Sequence, residues 1–104
     1  MQVQLHADNI VPGSLPLTQA VEAAVEHAVR RWAPRITRVE VHLSDTNGHK
    51  GGADDKRCLM EARVGGLQPI AVAHEAGTIH DAVDGAAGKL KKTLENTLGR
   101  LNDR

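Results

Sequence analysis

The sequence predicts an α+β fold, ordered β-α-β-β-β-α, in which a four-stranded mixed sheet carries two helices on one face. Apolar and polar residues alternate in four short stretches, which is the period of a strand with one buried face. Two longer stretches space their apolar residues three and four apart, the period of a helix with one buried stripe. At 104 residues the chain has room for one core, so the strands and both stripes must share it. Residues 1–104 therefore read as a single domain, with a frayed end at about 102–104.

The first strand is set by Val3, Leu5 and Ala7 alternating with Gln2, Gln4 and His6, and Asp8-Asn9 and Pro12-Gly13 break it. Between Pro16 and Ala33, Leu17, Ala20, Val21, Ala24, Val25, Ala28 and Trp32 form one helical stripe, which Pro34 stops. Glu22, Glu26, His27 and Arg30 occupy the other side of that helix, and Arg30 and Arg31 suit the negative pole of its dipole. The period returns to two after Ile36, with Val39, Val41 and Leu43 inward and Arg38, Glu40, His42 and Ser44 outward. A Gly-, Asn- and Asp-rich connection over 45–55 leads to a third strand over Lys56–Val64. There Cys58, Met60, Ala62 and Val64 share one face. Gly65-Gly66 turns the chain into a fourth strand over Gln68–His74, with Ile70 and Val72 inward.

Thr78 and Asp81 have the spacing of a capping box at the start of the last helix. Its stripe runs through Ile79, Ala82, Val83, Ala86, Ala87, Leu90, Leu94, Leu98 and Leu101. Gly85, Gly88 and Gly99 lower its helix propensity and point to close packing. The strand-helix-strand unit favours parallel pairing of the first two strands, and the short connections that follow favour antiparallel neighbours.

Composition removes several classes of function. No apolar run approaches a bilayer span, and the alternating amino terminus does not have the form of a secretory signal. A lone cysteine cannot form an internal disulfide, which together with the missing signal gives a cytoplasmic address. Trp32 alone, with no Phe or Tyr, argues against recognition of single strands by stacking bases on aromatic platforms.

Catalytic and metal chemistry find little to build on. His6, His27, His42, His49, His74 and His80 show no paired ligand spacing, so no metal site is expected. The stretch Asp45-Thr46-Asn47-Gly48 has Lys56 where a calcium loop needs a closing Glu, and the glycines near Lys50 lack a phosphate-loop string. Cys58 falls on an apolar strand face and reads as a small buried hydrophobe. Asp54-Asp55 sit in a loop that cannot preorganise them. No catalytic residues, cofactor, membrane partner or small-molecule substrate are expected.

The basic residues are more informative, although the net charge is zero. Arg30, Arg31, Arg35 and Arg38 cluster near the end of the first helix, Lys56, Arg57 and Arg63 lie on the third strand, and Lys89, Lys91 and Lys92 lie in the last helix. Lys89, Lys92 and Arg100 fall away from the leucine stripe, so a cationic helix face is available to a phosphate backbone.

Four segments carry a resemblance to a known family: MQVQLHADNI, the helix ending VEHAVRRW, the strand ITRVEVHLS, and VAHEAGTIHDAVDGAAGKLKKTLENTLGRL with its A-x-D start and K-L-K-K segment. The chain resembles the bacterial ribosome hibernation-promoting factors, which include ribosome-associated inhibitor A and the sigma-54 modulation proteins. The likeness is to their short form, without the carboxy-terminal domain of longer members. It implies binding to the small ribosomal subunit, in the channel used by messenger and transfer RNA, so that idle ribosomes are kept inactive and protected in stress or stationary phase. Carried over by position, the contacts to ribosomal RNA would be Arg30, Arg31, Arg38, Lys56, Arg57, Lys89, Lys91 and Lys92. The neutral total supports a competing reading, a protein-interaction module that keeps the fold and does not bind the ribosome.

Overall fold

The structure is a computed structural model and describes residues 1–7, 15–45 and 56–102. Strands β1 (Gln2–Ala7), β2 (Ile36–Asp45), β3 (Lys56–Val64) and β4 (Ile70–Ala76) form one sheet in the order β1-β2-β3-β4. β1 pairs with β2 in parallel, and the other two pairings are antiparallel. Helices α1 (Leu15–Val29) and α2 (Ile79–Asn102) complete the predicted order. The breaks expected at Asp8-Asn9 and Pro12-Gly13 and the loop at 46–55 lie outside the described residues, as does the fraying expected at about 102–104 except at Asn102, which is still part of α2. No helix among the described residues is long and apolar enough to cross a membrane.

Alternation assigned the sheet faces correctly at the centre. Val39, Val41 and Leu43 of β2 and Cys58, Met60, Ala62 and Val64 of β3 are buried in one cluster with Val21, Val25 and Trp32 and with the α2 stripe from Ala82 to Leu98. On the edge strands Val3, Leu5, Ile70 and Val72 are only partly buried against that cluster, and Ala7, at the end of β1, is exposed. Ile36 and Val39 both face inward despite their odd spacing. A register shift between Ile36 and Arg38 makes this possible, and within it the Thr37 hydroxyl donates to the Arg63 carbonyl at 3.1 Å.

Two boundaries depart from the sequence reading. The first helix does not stay α-helical to Ala33: it ends at Val29 and tightens into a 3₁₀ segment over Arg30–Arg35, with Pro34 inside. Proline has no amide proton and its ring crowds the carbonyl four residues back, so the last turn must adopt the tighter bonding. In that turn Val29 and Trp32, three apart, both point into the core. The fourth strand spans Ile70–Ala76 instead of Gln68–His74. Leu67 N–H donates to Val64 O at 3.1 Å in a turn that holds Gly66 at φ 81°, where a side chain would be strained, and Pro69 cannot donate to the ladder.

At the start of α2 the Asp81 amide donates to the Thr78 hydroxyl at 3.1 Å. Only this half of the expected capping box is made among the described residues. Of the glycines expected to mark close packing, Gly85 faces the His74 ring, whereas Gly88 and Gly99 face open space.

Candidate nucleic-acid interface

The 3₁₀ segment places two arginines beside α2. Trp32, 3% exposed, anchors the segment in the core, and the exposed side chains of Arg30 and Arg31 precede it. The Arg31 guanidinium lies 5.7 Å from the centroid of the Trp32 ring, a cation-π contact that limits its freedom. The indole N–H of Trp32 is buried without an acceptor among the described residues. Facing these groups from α2 are Lys91 and, one turn on, Glu95. Together with His27 they line a shallow depression of about 360 Å³.

Two more depressions adjoin it. One, of about 490 Å³, is lined by Ala23, Glu26, His27 and Arg30 among others, and one, of about 300 Å³, by His27, Asp84, Gly88 and Lys91 among others. The 360 and 300 Å³ depressions share His27, Ala28 and Lys91 and form one trough along the junction of the helices, whereas the 490 Å³ one is bordered by Met1 and Ala33 and by no residue of α2. Arg30, Arg31, Lys91 and Lys92 are exposed, and none forms an ion pair among the described residues. Cations without carboxylate partners in a concavity attract phosphate more strongly than the same cations spread over a flat, paired surface.

The other residues of the expected set lie elsewhere. Arg38 is on the sheet face turned away from the helices, with Nη2 3.1 Å from Glu40 Oε2. Arg57 is on that face too, between Ser44 and Glu75 in register. Lys56 lies on the helix side, where Nζ reaches Asp45 Oδ2 at 3.2 Å. Lys89 donates to the Ala73 carbonyl at 2.9 Å, at the free edge of β4. The fold thus collects Arg30, Arg31 and Lys91, leaves Lys92 exposed on the same helix as Lys91, and ties Arg38 and Lys56 to carboxylates. His27 was legible only as a polar residue of the first helix. Its signal is its position three and four residues before Arg30 and Arg31, on their ridge.

Cys58 is fully buried, and burial pushes its thiol from 9.0 up to about 12. The folded value is raised, so the protonated thiol contributes stability that is complete below pH 9.0 and is lost between pH 9.0 and about 12, where only the unfolded chain ionises. Stability is accordingly expected to fall over that window, and less steeply in Cys58→Ala. In the folded protein at pH 8 the thiol should resist a disulfide reagent and react promptly once denaturant is added. Fast labelling of the native state would contradict its burial.

Against known proteins, a family model described as sigma 54 modulation protein / S30EA ribosomal protein matches residues 9–102. No curated protein matches the chain. Among solved structures, a ribosomal subunit interface protein from Coxiella burnetii superposes with a TM-score of 0.79 at 17% identity, over 95% of this chain and 99% of that one. The Protein Y N-terminal domain from Thermus thermophilus gives 0.73 at 17% identity, over 92% and 98%. These likenesses establish a shared fold. With the family match over most of its length, the chain belongs to the sigma 54 modulation protein / S30EA ribosomal protein family, the ribosome-associated hibernation and modulation factors.

Proposed function

We propose that the protein is a cytoplasmic translation inhibitor and hibernation factor that binds ribosomal RNA of the small subunit, near the channel for messenger and transfer RNA, in stress or stationary phase. The observation that carries this reading is the convergence of Arg30, Arg31 and Lys91 on one trough without carboxylate partners among the described residues. Lys92 extends the cationic surface along α2, and Lys89, Arg38, Lys56 and Arg57 are secondary contacts because the sheet already occupies or separates them. With Trp32 buried, recognition works through the shape and phosphates of structured RNA and not through stacked bases.

Family membership and the likeness to a ribosomal subunit interface protein from Coxiella burnetii support the ribosome as partner. The zero net charge, which favours a protein-interaction module, hides a difference in pairing, although Asp84 and Glu95 also border the trough. The cations on the sheet are largely paired, and those on the trough are not.

Sucrose-gradient sedimentation with purified small subunits tests the reading. The protein should travel with the subunit at low salt and be released as salt rises, because phosphate contacts displace condensed counterions. Protein left at the top of a low-salt gradient would overturn it.

A further inference from the structure

The sheet face turned away from the helices holds a second cluster, made by register. β1 and β2 run parallel with His6 beside His42, and the two imidazoles stack with centroids 4.6 Å apart and planes 14° apart. Glu40 precedes His42 by two residues and so shares its face. The two oxygens of its carboxylate are divided between different partners. Oε1 lies 3.5 Å from His6 Nε2 and 4.0 Å from His42 Nε2, while Oε2 lies 3.1 Å from Arg38 Nη2 and 3.7 Å from Arg63 Nε.

We propose that His6, Glu40 and His42 form a binding site for a divalent transition-metal ion of the zinc class. One ligand atom from each residue falls within 4.8 Å of the others. Zinc binds imidazole nitrogen and carboxylate oxygen at about 2.0–2.2 Å, so tetrahedral ligands lie about 3.4 Å apart, and two histidines with one carboxylate leave a fourth position for water. The 3.5 and 4.0 Å separations are close to that spacing. The imidazoles, 50% and 46% exposed, can turn their Nε2 lone pairs toward a common point without disturbing the core. Two nitrogens exclude magnesium and calcium, which require oxygen ligands.

Arg38 and Arg63 hold Oε2, which leaves Oε1 directed at the ion and fixes the carboxylate as outer partners of a metal ligand do. Their charges do not repel the ion unopposed. Arg63 Nη2 also lies 3.4 Å from Glu61 Oε1, so two guanidiniums face two carboxylates. The site is on the sheet face away from the helix trough and shares only Arg38, a secondary contact, with the ribosome reading.

Calorimetric titration of the untagged, chelator-washed chain with Zn²⁺ alone tests the proposal. A single saturable site is expected, weakened roughly tenfold or more by His6→Ala, His42→Ala or Glu40→Gln, and unchanged in His80→Asn and Cys58→Ala. Magnesium should give no saturable heat. The ring resonances of His6 and His42 should shift over the same range of added zinc, with the amide spectrum showing that each variant stays folded. An unsaturable titration, an isotherm that survives the His6→Ala/His42→Ala double change, or shifts confined to other histidines would overturn it.

Discussion

The combined variant Arg30→Glu, Arg31→Glu, Lys91→Glu should stay at the top of a low-salt gradient that carries the unaltered protein down with small subunits. All three side chains are exposed and without ion pairs among the described residues, so their reversal breaks no such pair. The structural penalty comprises the lost dipole interactions of the two arginines after α1, about 0.3–1 kcal/mol each, the lost contact of Arg31 with Trp32, about 0.5–1 kcal/mol, and a new like-charge pair with Glu95, about 0.2–0.5 kcal/mol. A circular-dichroism melt will separate that loss from unfolding. Each phosphate contact removed should also flatten the log-log salt dependence by about 0.7–0.9, so a milder glutamine series at the same positions should lower the slope stepwise. Reversing Arg38 should do less to binding and more to the sheet, because it breaks an existing bond to Glu40. A triple variant that still sediments with the subunit would place the RNA contact elsewhere.

Gly85→Ala should destabilise the domain although helix propensity favours alanine by about 0.8–1.0 kcal/mol. A methyl group at this position overlaps the His74 imidazole at Cγ as well as at Cδ2 and Nε2. Rotation of the ring about its own axis leaves Cγ in place, so relief requires a new χ1 for a half-buried side chain on the helix side of β4, opposite Cys58. Overpacking of this kind costs about 1–3 kcal/mol, which outweighs the propensity gain. Urea denaturation should show a lower midpoint for Gly85→Ala, and the double variant with His74→Ala should recover most of the loss through a favourable coupling. If Gly85→Ala melts higher than the parent, α2 does not pack against β4 as closely as described.

How much was legible in the sequence follows from what periodicity encodes. Alternation fixed which side of β2 and β3 is buried, and the three-and-four spacing fixed the α2 stripe through Leu98. Period two carries the phase of a strand but not its offset from a neighbour. His6 and His42 therefore looked unrelated until the parallel register placed them side by side. The proximity of Gly85 to His74 and the approach of Lys91 to Arg31 depend on how α2 lies over the sheet, which no local pattern states. The 3₁₀ tightening and the late start of β4 both trace to prolines, Pro34 and Pro69, whose missing amides move boundaries that apolar spacing alone sets too early or too late. The charge sum misled for a related reason, since it counts Arg38 with Glu40 and Arg31 with nothing as equals.

The bond from Lys89 to the Ala73 carbonyl also bears on how the protein behaves at high concentration. β4 ends the sheet, and the outward carbonyls of such a strand can template a strand from another molecule. An ammonium held on one of them removes an acceptor from that row and adds a charge that an incoming backbone would have to desolvate. Lys89, a secondary contact in the ribosome reading, also acts as a gatekeeper against strand-to-strand self-association.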